Sequence, residues 1–484
     1  MPQKIDFSDP LLDASDSKVG IAVVGCGYVG LVAAVCFAEI GHTVICVDND
    51  ATKIGELQAG RIPIHENHLA ELLRTQKPDA LRFTTSLADA VRASEAIFVA
   101  VGTPPLENGD ADLSYVESVA AEIARSVNGY KVIVEKSTVP VYTSDWVGRV
   151  LRRNGVDRGQ VDVVSNPEFL REGTAVVDFL HPDRIVVGTA SNRAFSVLSR
   201  IYRPLTDGSY YRSAGSVPGS CSEAQPAPIL RTSAKSAELI KHASNAFLAM
   251  KISFINLVAN VCESVDADIE EVSQGMGMDR RIGSRFLSAG PGYGGSCFPK
   301  DIKAFRAISE QLGLDFTLLK EVERINNRQQ TLFLKKVRSA LWNLRGKRLA
   351  VLGLAFKGGT DDIRESPAIS LVRSFLAEGC IVSGYDPAAM ERAAATLNSP
   401  NLSMAESAYE ALDRADALVI LTEWPEFAQL DLDEVKRRLA HPIVFDGRNL
   451  FDCADMARRG FTYVSVGRPP ADECAEMVAI ARRA

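Results

Sequence analysis

The fold is decided by residues 21–30, which read Ile-Ala-Val-Val-Gly-Cys-Gly-Tyr-Val-Gly. A short β-branched run enters a turn with three glycines, and an apolar stretch resumes at Leu31. This order predicts a buried strand, a tight turn and a buried helix. The segment Ile21–Ile40, with Glu39 as its single charge, is also long enough to cross a membrane. The glycines within it favour the strand, turn and helix instead.

The three glycines form the Gly-x-Gly-x-x-Gly pattern of a dinucleotide-binding turn. Gly25 permits the tight turn, and Gly27 lets the backbone approach a pyrophosphate. Gly30 permits close packing of the helix on the strand, and the helix N-terminus attracts the phosphates. The predicted cofactor site therefore includes this whole turn, with Tyr28 and Val29.

A second predicted strand, Thr43–Val47, ends at Asp48. A carboxylate at this strand end suits the ribose hydroxyls of adenosine and would repel a 2′-phosphate, so the sequence favours NAD over NADP. Lys53 is close enough to contact the ribose or a phosphate, although a solvated helix lysine is an equal alternative.

Three further apolar strands are predicted at 96–101, 131–136 and 161–164, and each runs into a polar loop. The loops carry Thr103, Thr138, Glu168 and Glu172. Ligands of open α/β sheets bind outside the carboxyl ends of the strands, so these side chains are expected along one rim. The two glutamates could be ordinary surface acids, but their position favours general acid–base work.

The composition is that of an ordinary globular protein, with 484 residues, 46% hydrophobic and 24% charged. The net charge of −7 argues against a general binder of nucleic acid or anionic membranes. Nine cysteines are scattered without a Cys-x-x-Cys pair or a Cys/His cluster. We therefore expect a reducing, cytoplasmic location and no metal site.

The chain is predicted to be an α/β protein with two Rossmann-like, doubly wound parallel-sheet domains joined by a long central helix. The predicted parts are a disordered tail at 1–17, an NAD-binding domain at 18–205, a loop at 206–230, a central helical dimerisation region with the cysteine loop at 231–333, and a second Rossmann-like domain at 334–484. The long helix is expected from Ser233 to about Val265 and is a natural dimer surface.

A Gly/Pro-rich segment at 290–301 reads Gly-Pro-Gly-Tyr-Gly-Gly-Ser-Cys-Phe-Pro-Lys-Asp. Its centre is Cys297, and the nearby cation Lys300 favours the nucleophilic thiolate. The alternative is a surface turn with an idle cysteine. Lys241 and Asn245 share one helix face and could hold an oxyanion or a water, or could simply be solvated.

The second domain carries cations that suit a phosphorylated ligand, because arginine can bind phosphate through two hydrogen bonds. These are Lys357, Arg364 and Arg448. Two nucleotide-sized sites are therefore predicted, one on either side of Cys297 in the sequence.

From about residue 20 to residue 470, the chain resembles the UDP-glucose 6-dehydrogenase family, which belongs to the wider nucleotide-sugar dehydrogenases. The signatures are the glycine turn at 25–30, Asn-Pro-Glu-Phe-Leu-Arg-Glu-Gly at 166–173, Lys241 with Asn245, the cysteine loop at 290–301, and Phe-Lys at 356–357 with Arg-Glu-Ser at 364–366. The tail at 1–17 and an extended loop around 207–228 depart from the usual pattern.

The resemblance implies oxidation of UDP-glucose to UDP-glucuronate by two NAD⁺, through a thiohemiacetal and a thioester on Cys297. Its implied catalytic residues are Cys297, Lys241 for deprotonation and oxyanion stabilisation, Asn245 for hydrogen bonding, Asp301 to hold a water or the lysine, Glu168 as the base of hydrolysis, and Thr138 to position water.

The resemblance also implies the binding residues. Those for NAD are Gly25, Gly27, Tyr28, Val29, Gly30, Asp48, Lys53, Thr103, Thr138, Glu172, Lys300 and Arg364. Those for the UDP-sugar are Glu168, Phe169, Leu170, Arg171, Glu172, Lys241, Asn245, Arg281, Ser288, Gly292, Tyr293, Gly294, Lys357 and Arg448. In the family the position of Arg281 reaches a neighbouring subunit's site, which implies a homodimer.

Three alternatives stay open on the sequence. UDP-N-acetylhexosamine or GDP-mannose dehydrogenases share the scaffold and the cysteine. A silent nucleotide-binding protein is a second alternative, against which the intact set of catalytic side chains argues. A two-electron dehydrogenase of the 6-phosphogluconate type is a third, but it would not need Cys297.

Overall fold

The computed structural model of the protein describes residues 18–77, 79–106, 109–213, 215–219 and 225–469. The predicted tail at 1–17 lies outside these ranges. The chain separates into two compact units. The first extends to Ser244 and includes Lys303–Gln311, and the second comprises Asn245–Ile302 and the chain from Leu312 onward.

The first unit is an eight-stranded sheet flanked by helices. Its strands are β1 (Gly20–Val24), β2 (Thr43–Val47), β3 (Leu81–Thr84), β4 (Ala96–Val99), β5 (Lys131–Glu135), β6 (Val161–Ser165), β7 (Ile185–Gly188) and β8 (Ile229–Thr232). Its helices are α1 (Tyr28–Glu39), α2 (Ala51–Gln58), α3 (Leu69–Thr75), α4 (Leu87–Ala93), α5 (Ser114–Ser126), α6 (Thr143–Arg153), α7 (Ala175–Leu180) and α8 (Asn192–Thr206), with a 3₁₀ turn at Tyr210–Arg212.

The strand order is β3-β2-β1-β4-β5-β6-β7-β8. The six strands β1 to β6 are all parallel. The chain adds β2 and β3 on one side of β1 and then β4, β5 and β6 on the other side, which gives the doubly wound topology expected from the sequence. The last two differ from a purely parallel sheet, because β7 pairs antiparallel to β6 and β8 runs parallel to β7.

The segment 206–230 was predicted to be a loop, but it contains the 3₁₀ turn and the start of β8. Two of the four residues of β8, Leu230 and Arg231, are exposed, so this edge strand lacks the apolar run that identifies a buried strand. Because β8 completes the first sheet, the first compact unit extends well beyond residue 205.

The core of the first unit explains why β1 and α1 are apolar on all sides. The strand and most of the helix are buried, as expected when helices cover both faces of a parallel sheet. Phe37 of α1 packs at ring-centroid distances of 4.6 Å from Phe98 and 5.0 Å from Phe179. Each fully buried phenylalanine contributes about 2–3 kcal/mol through burial.

The long central helix is confirmed as α9 (Ala234–Val265). It is long and apolar enough to span a membrane by length and composition. Its residues Ile255, Ala259 and Cys262 belong to the core of the second unit, and Lys241 and Asn245 are buried polar residues. Buried polar side chains and core contacts are typical of an internal helix.

The second unit contains a six-stranded parallel sheet in the order β11-β10-β9-β12-β13-β14. The strands are β9 (Arg348–Leu352), β10 (Ile381–Tyr385), β11 (Leu402–Met404), β12 (Ala417–Ile420), β13 (Ile443–Asp446) and β14 (Thr462–Val464). The helices that follow α9 are α10 (Ile269–Gly277), α11 (Phe298–Gln311), α12 (Thr317–Leu341), α13 (Pro367–Ala377), α14 (Met390–Leu397), α15 (Ala408–Ala411), α16 (Pro425–Ala428), α17 (Leu432–Arg438) and α18 (Cys453–Arg458).

The second sheet repeats the turn geometry of the first. Gly25 donates its N–H to the carbonyl of Val47 at 2.7 Å, and Gly353 donates to that of Tyr385 at 2.8 Å. In both units an aspartate after the second strand accepts backbone N–H groups of the turn. The prediction of two Rossmann-like units is therefore confirmed, although the second lacks the full glycine pattern.

Candidate active site

The glycine turn between β1 and α1 leaves space where a pyrophosphate is expected. A Cβ at Gly25, whose φ is +103°, would lie 2.6 Å from the carbonyl oxygen of Ala100, and one at Gly30 would lie 1.8 Å from that of Gly25. A Cβ at Gly27 would meet no atom of the described chain within 4 Å. Gly25 and Gly30 thus serve the fold, while Gly27 keeps the helix N-terminus open, so the turn fits NAD.

Asp48 is held as an anion at the end of β2. Its carboxylate accepts N–H groups from Cys26 at 2.8 Å and Asp50 at 3.1 Å, and the Lys53 ammonium lies at 3.0 Å. Burial opposes ionisation of Asp48, but these hydrogen bonds and the lysine outweigh it and lower the pKa. Asp48, the residue predicted to bind the ribose hydroxyls, is therefore charged, and Lys53 contacts its carboxylate.

The ends of β4, β5 and β6 come together at one rim, as expected. The Thr103 hydroxyl donates to the carbonyl of Thr138 at 3.0 Å. Glu168 accepts the N–H of Leu170 at 2.5 Å and pairs with Lys241 at 2.8 Å, with both charged side chains 5% exposed. A buried ion pair of this kind brings a carboxylate and an ammonium together where either can exchange a proton with a substrate.

The rest of the 168–173 loop is anchored by its own contacts. The ring of Phe169 lies 3.6 Å from the Arg184 guanidinium and 5.5 Å from the Lys241 ammonium. Arg171 binds Asp178 through two hydrogen bonds, at 2.6 and 3.0 Å. Glu172 is half-buried within this loop.

Cys297 lies at the start of α11. Its carbonyl accepts the N–H of Asp301 at 2.8 Å, which places the cysteine at the N-terminal cap of the helix. The positive end of the helix dipole favours a thiolate there. The half-buried Sγ lies 3.5 Å from the Ser296 hydroxyl. A partly accessible thiol at a helix N-terminus is suited to nucleophilic attack.

The carboxylate of Asp301 is buried in the first turn of α11. It accepts a 2.5 Å hydrogen bond from the amide of Asn245 and lies 3.1 Å from the ammonium of Lys300. Three predicted site residues are thus in direct contact within the second unit. Because the carboxylate fixes the amide orientation, Asn245 presents its oxygen and remaining N–H in one defined direction.

The backbone of the cysteine loop is held by two asparagines that the sequence analysis missed. Asn256 accepts the N–H of Gly290 at 2.9 Å. Asn326 accepts the N–H of Tyr293 at 2.8 Å and donates to its carbonyl at 3.1 Å. A usable signal existed for Asn256, which follows Asn245 by eleven positions, or three helical turns, and therefore lies on the same face of α9.

The glycines of the loop let it approach α12 and the segment just before α13, which belong to the same unit. A Cβ at Gly294 would lie 2.3 Å from the carbonyl oxygen of Glu365, and one at Gly292, where φ is +117°, would lie 2.8 Å from Asn326. The N–H of Gly295 donates to the carbonyl of Arg364 at 2.9 Å. Only residues without a side chain fit this path.

The predicted cations of the second unit occupy different settings. Arg448 donates to the carbonyls of Leu421 at 2.8 Å and Phe356 at 3.1 Å, next to Gly290. The ammonium of Lys357 lies 5.6 Å from the Phe356 ring. The cysteine loop, Lys357 and Arg448 are therefore brought together.

Three of the predicted binding residues are exposed to solvent or form ion pairs with acids nearby in the sequence. Arg364 binds Asp362 through two 2.8 Å hydrogen bonds, and its side chain is 56% exposed. Arg281 pairs with Asp279 and is 89% exposed. Ser288 is exposed. Among the residues that the structure describes, no group of three or more His, Cys, Asp and Glu side chains could hold a metal ion.

Glu135 is a buried carboxyl at the rim that the sequence analysis did not single out. Its Oε1 accepts the N–H of Ser137 at 3.2 Å, and its Oε2 has no partner within the described ranges. Burial raises the pKa of Glu135 to about 8, and the nearby Glu238 adds to the shift. The carboxyl is therefore protonated at neutral pH.

We predict a pH-dependent stability from Glu135. A raised folded-state pKa means that its contribution is full below the unfolded pKa near 4.5 and is lost as pH rises through about 8. The loss is on the order of a few kcal/mol. Glu135→Gln keeps a neutral group, so its unfolding free energy should fall less between pH 5 and 8 than that of the wild type. Urea unfolding at both pH values measures this difference.

Glu117→Gln, at an exposed position, is the control and should follow the wild type. Equal losses in all three proteins would contradict the prediction.

The sequence matches three family models. They are the NAD-binding domain of the UDP-glucose/GDP-mannose dehydrogenase family at residues 19–206, its central domain at 235–328 and its UDP-binding domain at 350–453. Curated relatives include the UDP-glucose 6-dehydrogenase of Rhizobium meliloti, which is 46% identical over 454 residues and covers 93% of this chain and 99% of the relative. The corresponding protein of Bacillus subtilis is 43% identical over 450 residues, with 93% coverage of both.

Solved structures give the same result. A UDP-glucose dehydrogenase from Pyrobaculum islandicum superposes with a TM-score of 0.83 at 38% identity, over 95% of this chain and 100% of that one. A UDP-D-ManNAc dehydrogenase from Pyrococcus horikoshii gives 0.77 at 27% identity, over 93% and 99%. With three matched domains, and relatives above 40% identity over nearly the whole chain, this protein belongs to the UDP-glucose/GDP-mannose dehydrogenase family.

Proposed function

We propose that this protein oxidises UDP-glucose to UDP-glucuronate, with the reduction of two NAD⁺. The observation that carries the proposal is the half-buried thiol of Cys297 at a helix N-terminus, in the same unit as the Asn245–Asp301 pair. A two-electron alcohol dehydrogenase needs no nucleophilic thiol, whereas oxidation to a carboxylate does. The relatives named UDP-glucose 6-dehydrogenase, at 43–46% identity, support this substrate.

The first oxidation converts the C6 alcohol to an aldehyde. Bound NAD⁺ supplies the chemistry of a hydride acceptor. Lys241 assists the loss of the hydroxyl proton as the C6 hydride leaves, and its contact with Glu168 gives that proton a neighbouring carboxylate. Thr103 and Thr138 line the rim on which the nicotinamide is expected, and Gly25–Gly30, Asp48 and Lys53 hold the adenosine and pyrophosphate.

The second oxidation uses the protein's own thiolate. The sulfur of Cys297 forms a bond to the aldehyde carbon, and the resulting oxyanion is stabilised by Asn245 and Lys241. The thiohemiacetal then loses its second hydride and becomes a thioester. Water adds to the thioester, with Glu168 as base and Thr138 positioning the water, and the thiolate leaves. In total one alcohol, two NAD⁺ and one water give one carboxylate, two NADH and three protons.

The remaining predicted residues are assigned to binding. Glu172, Lys300 and Arg364 complete the NAD set, and the 168–172 loop, Ser288, Gly292, Tyr293, Gly294, Lys357 and Arg448 complete the UDP-sugar set. The hydrogen bonds from Arg448 to two carbonyls, beside Gly290, orient its guanidinium next to the loop.

The test is the amount of NADH formed per nucleotide sugar consumed, with UDP-glucose, UDP-N-acetylglucosamine and GDP-mannose compared side by side. Two NADH per UDP-glucose, with slow turnover of the others, is the expected result. Two NADH from one of the other sugars would show that this sugar is the substrate and would leave the proposed mechanism unchanged. One NADH per sugar, or none, would overturn the thioester route. The solved UDP-D-ManNAc dehydrogenase is only 27% identical, which makes UDP-glucose the first choice.

We further propose a homodimer formed through α9. The exposed apolar residues of α9 from Phe247 onward lie within an arc of about 80°, at 100° per residue. They are Phe247, Phe254, Leu257, Val261 and Val265, at 40–65% exposure. An exposed apolar stripe of this length marks an interaction surface, and closed dimers are the commonest symmetric assembly. In such a dimer Arg281 is expected to reach the substrate site of the neighbouring subunit.

A double change, Phe247→Glu and Phe254→Glu, is expected to convert the dimer to a monomer, because it places two charges of each subunit in the apolar stripe. Light scattering at micromolar concentration measures the mass. Tyr115→Glu, at an exposed aromatic of α5, is the control and should leave the mass unchanged. A mass that stays dimeric in the double variant would contradict the proposed surface.

We also propose a cytoplasmic location, with neither nucleic acid nor membrane as a partner. The cysteines of the described ranges are free thiols, including Cys26 and Cys46, whose sulfurs lie only 3.1 Å apart. Adjacent unpaired thiols are suited to a reducing compartment. The net charge of −7 opposes attraction to phosphate-rich surfaces.

A further inference from the structure

His242 of α9 is a buried imidazole to which the proposed mechanism gives no role. It is 1% exposed. Its Nε2 lies 2.8 Å from the backbone carbonyl oxygen of Val139, and its ring centre lies 6.0 Å from that of Phe305. Because a carbonyl oxygen can only accept a hydrogen bond, Nε2 carries the proton and donates it. The imidazole is therefore fixed in one tautomer, with its N–H on the loop that follows β5.

The carbonyl that His242 contacts belongs to the neighbour of Thr138. Val139 lies beyond the end of β5, so its carbonyl is outside the ladder of the first sheet. The carbonyl of Thr138 itself accepts the hydroxyl of Thr103 at 3.0 Å. Two successive carbonyls of this loop are thus bound, one from the loop after β4 and the next from α9. Together these hydrogen bonds fix the backbone from which the Thr138 side chain projects.

Glu238, one helical turn before His242, holds the other end of the same loop. Its carboxylate accepts the N–H of Tyr142 at 2.8 Å, and the N–H and hydroxyl of Ser144 at 2.9 and 2.7 Å. These amides lie at the N-terminus of α6, where the helix dipole favours an anion. Glu238 and His242 share one face of α9, since they are four residues apart, and Lys241 lies between them in the sequence. The turn of α9 that carries Lys241 therefore holds both ends of the loop after β5.

We propose that His242 is a positioning residue for hydrolysis of the thioester, because its hydrogen bond to Val139 holds the hydroxyl of Thr138 where it orients the attacking water. This inference rests on the proposed function, in which Thr138 positions that water. In this step a water oxygen forms a bond to the acyl carbon, its proton passes to Glu168, and the thiolate of Cys297 leaves. His242 neither gains nor loses a proton. The two hydride transfers precede this step and need no ordered water, so a displaced loop should slow hydrolysis selectively.

The test follows NADH and UDP-glucuronate separately during the first turnovers, with saturating NAD⁺ and UDP-glucose. In His242→Leu, which removes the donor, two NADH per site should form at close to the wild-type rate, while release of UDP-glucuronate falls about tenfold or more. The acyl group then remains on Cys297, and the intact mass of the acid-quenched protein should show this covalent adduct. In His242→Gln, whose amide can still donate to the carbonyl of Val139, release should recover to within about threefold of the wild type.

His42 provides a matched control within the first unit. It is 2% exposed, and its Nε2 lies 2.8 Å from the backbone carbonyl oxygen of Ile201, while its Nδ1 accepts the N–H of Val19 at 3.2 Å. Val19 directly precedes β1, so this contact lies at the end of the sheet away from the rim. His42→Leu should therefore lower the unfolding free energy in urea without accumulation of the adduct.

Urea unfolding also shows whether His242→Leu folds, and if it does not, His242→Phe replaces it, since phenylalanine keeps a ring but has no donor. If neither variant folds, the histidine is required by the fold alone and the inference is overturned. NADH formation and UDP-glucuronate release that fall in parallel without an adduct, or equal behaviour of His242→Leu and His242→Gln, also overturn it. A wild type that forms fewer than two NADH per sugar would instead overturn the proposed function.

Discussion

Cys297→Ser is expected to lower UDP-glucuronate formation by about a thousandfold or more, while the first hydride transfer persists. A serine hydroxyl is not ionised at neutral pH, so the helix N-terminus that favours a thiolate has no anion to stabilise. The aldehyde then lacks a nucleophile, and the second hydride is not released. Lys241 and Glu168 lie in the first unit with their ion pair independent of the cysteine, so the alcohol can still be oxidised.

Rapid mixing with NAD⁺ and UDP-glucose measures this result. The wild type should form two NADH per sugar, and Cys297→Ser at most one per site before turnover stops. Cys453→Ser is the matched control, because Cys453 is also a half-buried free thiol but lies in α18. A serine variant that still forms two NADH per sugar at the wild-type rate would exclude covalent catalysis by Cys297.

Much of the fold could be predicted because its strongest signals are local. The glycine turn, the unbroken apolar runs of β1 and β4 and the apolar centre of β5 predict a buried parallel sheet, and α9 was located within one residue of its start. The strands that were missed are short or partly exposed, as in β8 and β11. Pairing with a neighbouring strand stabilises such segments, and a single sequence does not show that partner.

The candidate site was predictable only where chemistry and spacing coincide. Cys297 and Asp301 are four residues apart, so one helical turn explains their contact. Asn326, in contrast, holds Tyr293 across 33 positions. The cations Lys53, Arg171 and Arg364 were expected to bind NAD or the UDP-sugar, and each also forms an ion pair with a nearby acid. These ion pairs depend on the local backbone geometry, which a single sequence does not show.

The second large effect is expected at Gly30, where alanine should lower the unfolding free energy by about 3 kcal/mol or more. The new Cβ would lie 1.8 Å from the carbonyl oxygen of Gly25, so α1 must move away from β1 by more than an ångström. That movement opens the buried interface between α1 and the sheet and displaces the N-terminal amides that are expected to bind the pyrophosphate. Both stability and NAD affinity should therefore fall.

Gly27→Ala separates these two effects in the same turn. Its backbone, with φ −82° and ψ −169°, is allowed for any residue, and its Cβ would meet no described atom within 4 Å. We expect stability within about 0.5 kcal/mol of the wild type and NAD affinity reduced at least about tenfold, because the methyl group occupies space that the pyrophosphate needs. Urea unfolding and NAD titration of both variants measure the contrast. Normal NAD binding by Gly27→Ala would place the pyrophosphate elsewhere, whereas equal destabilisation of the two variants would mean that Gly27, like Gly30, is required by the packing of α1 on the sheet.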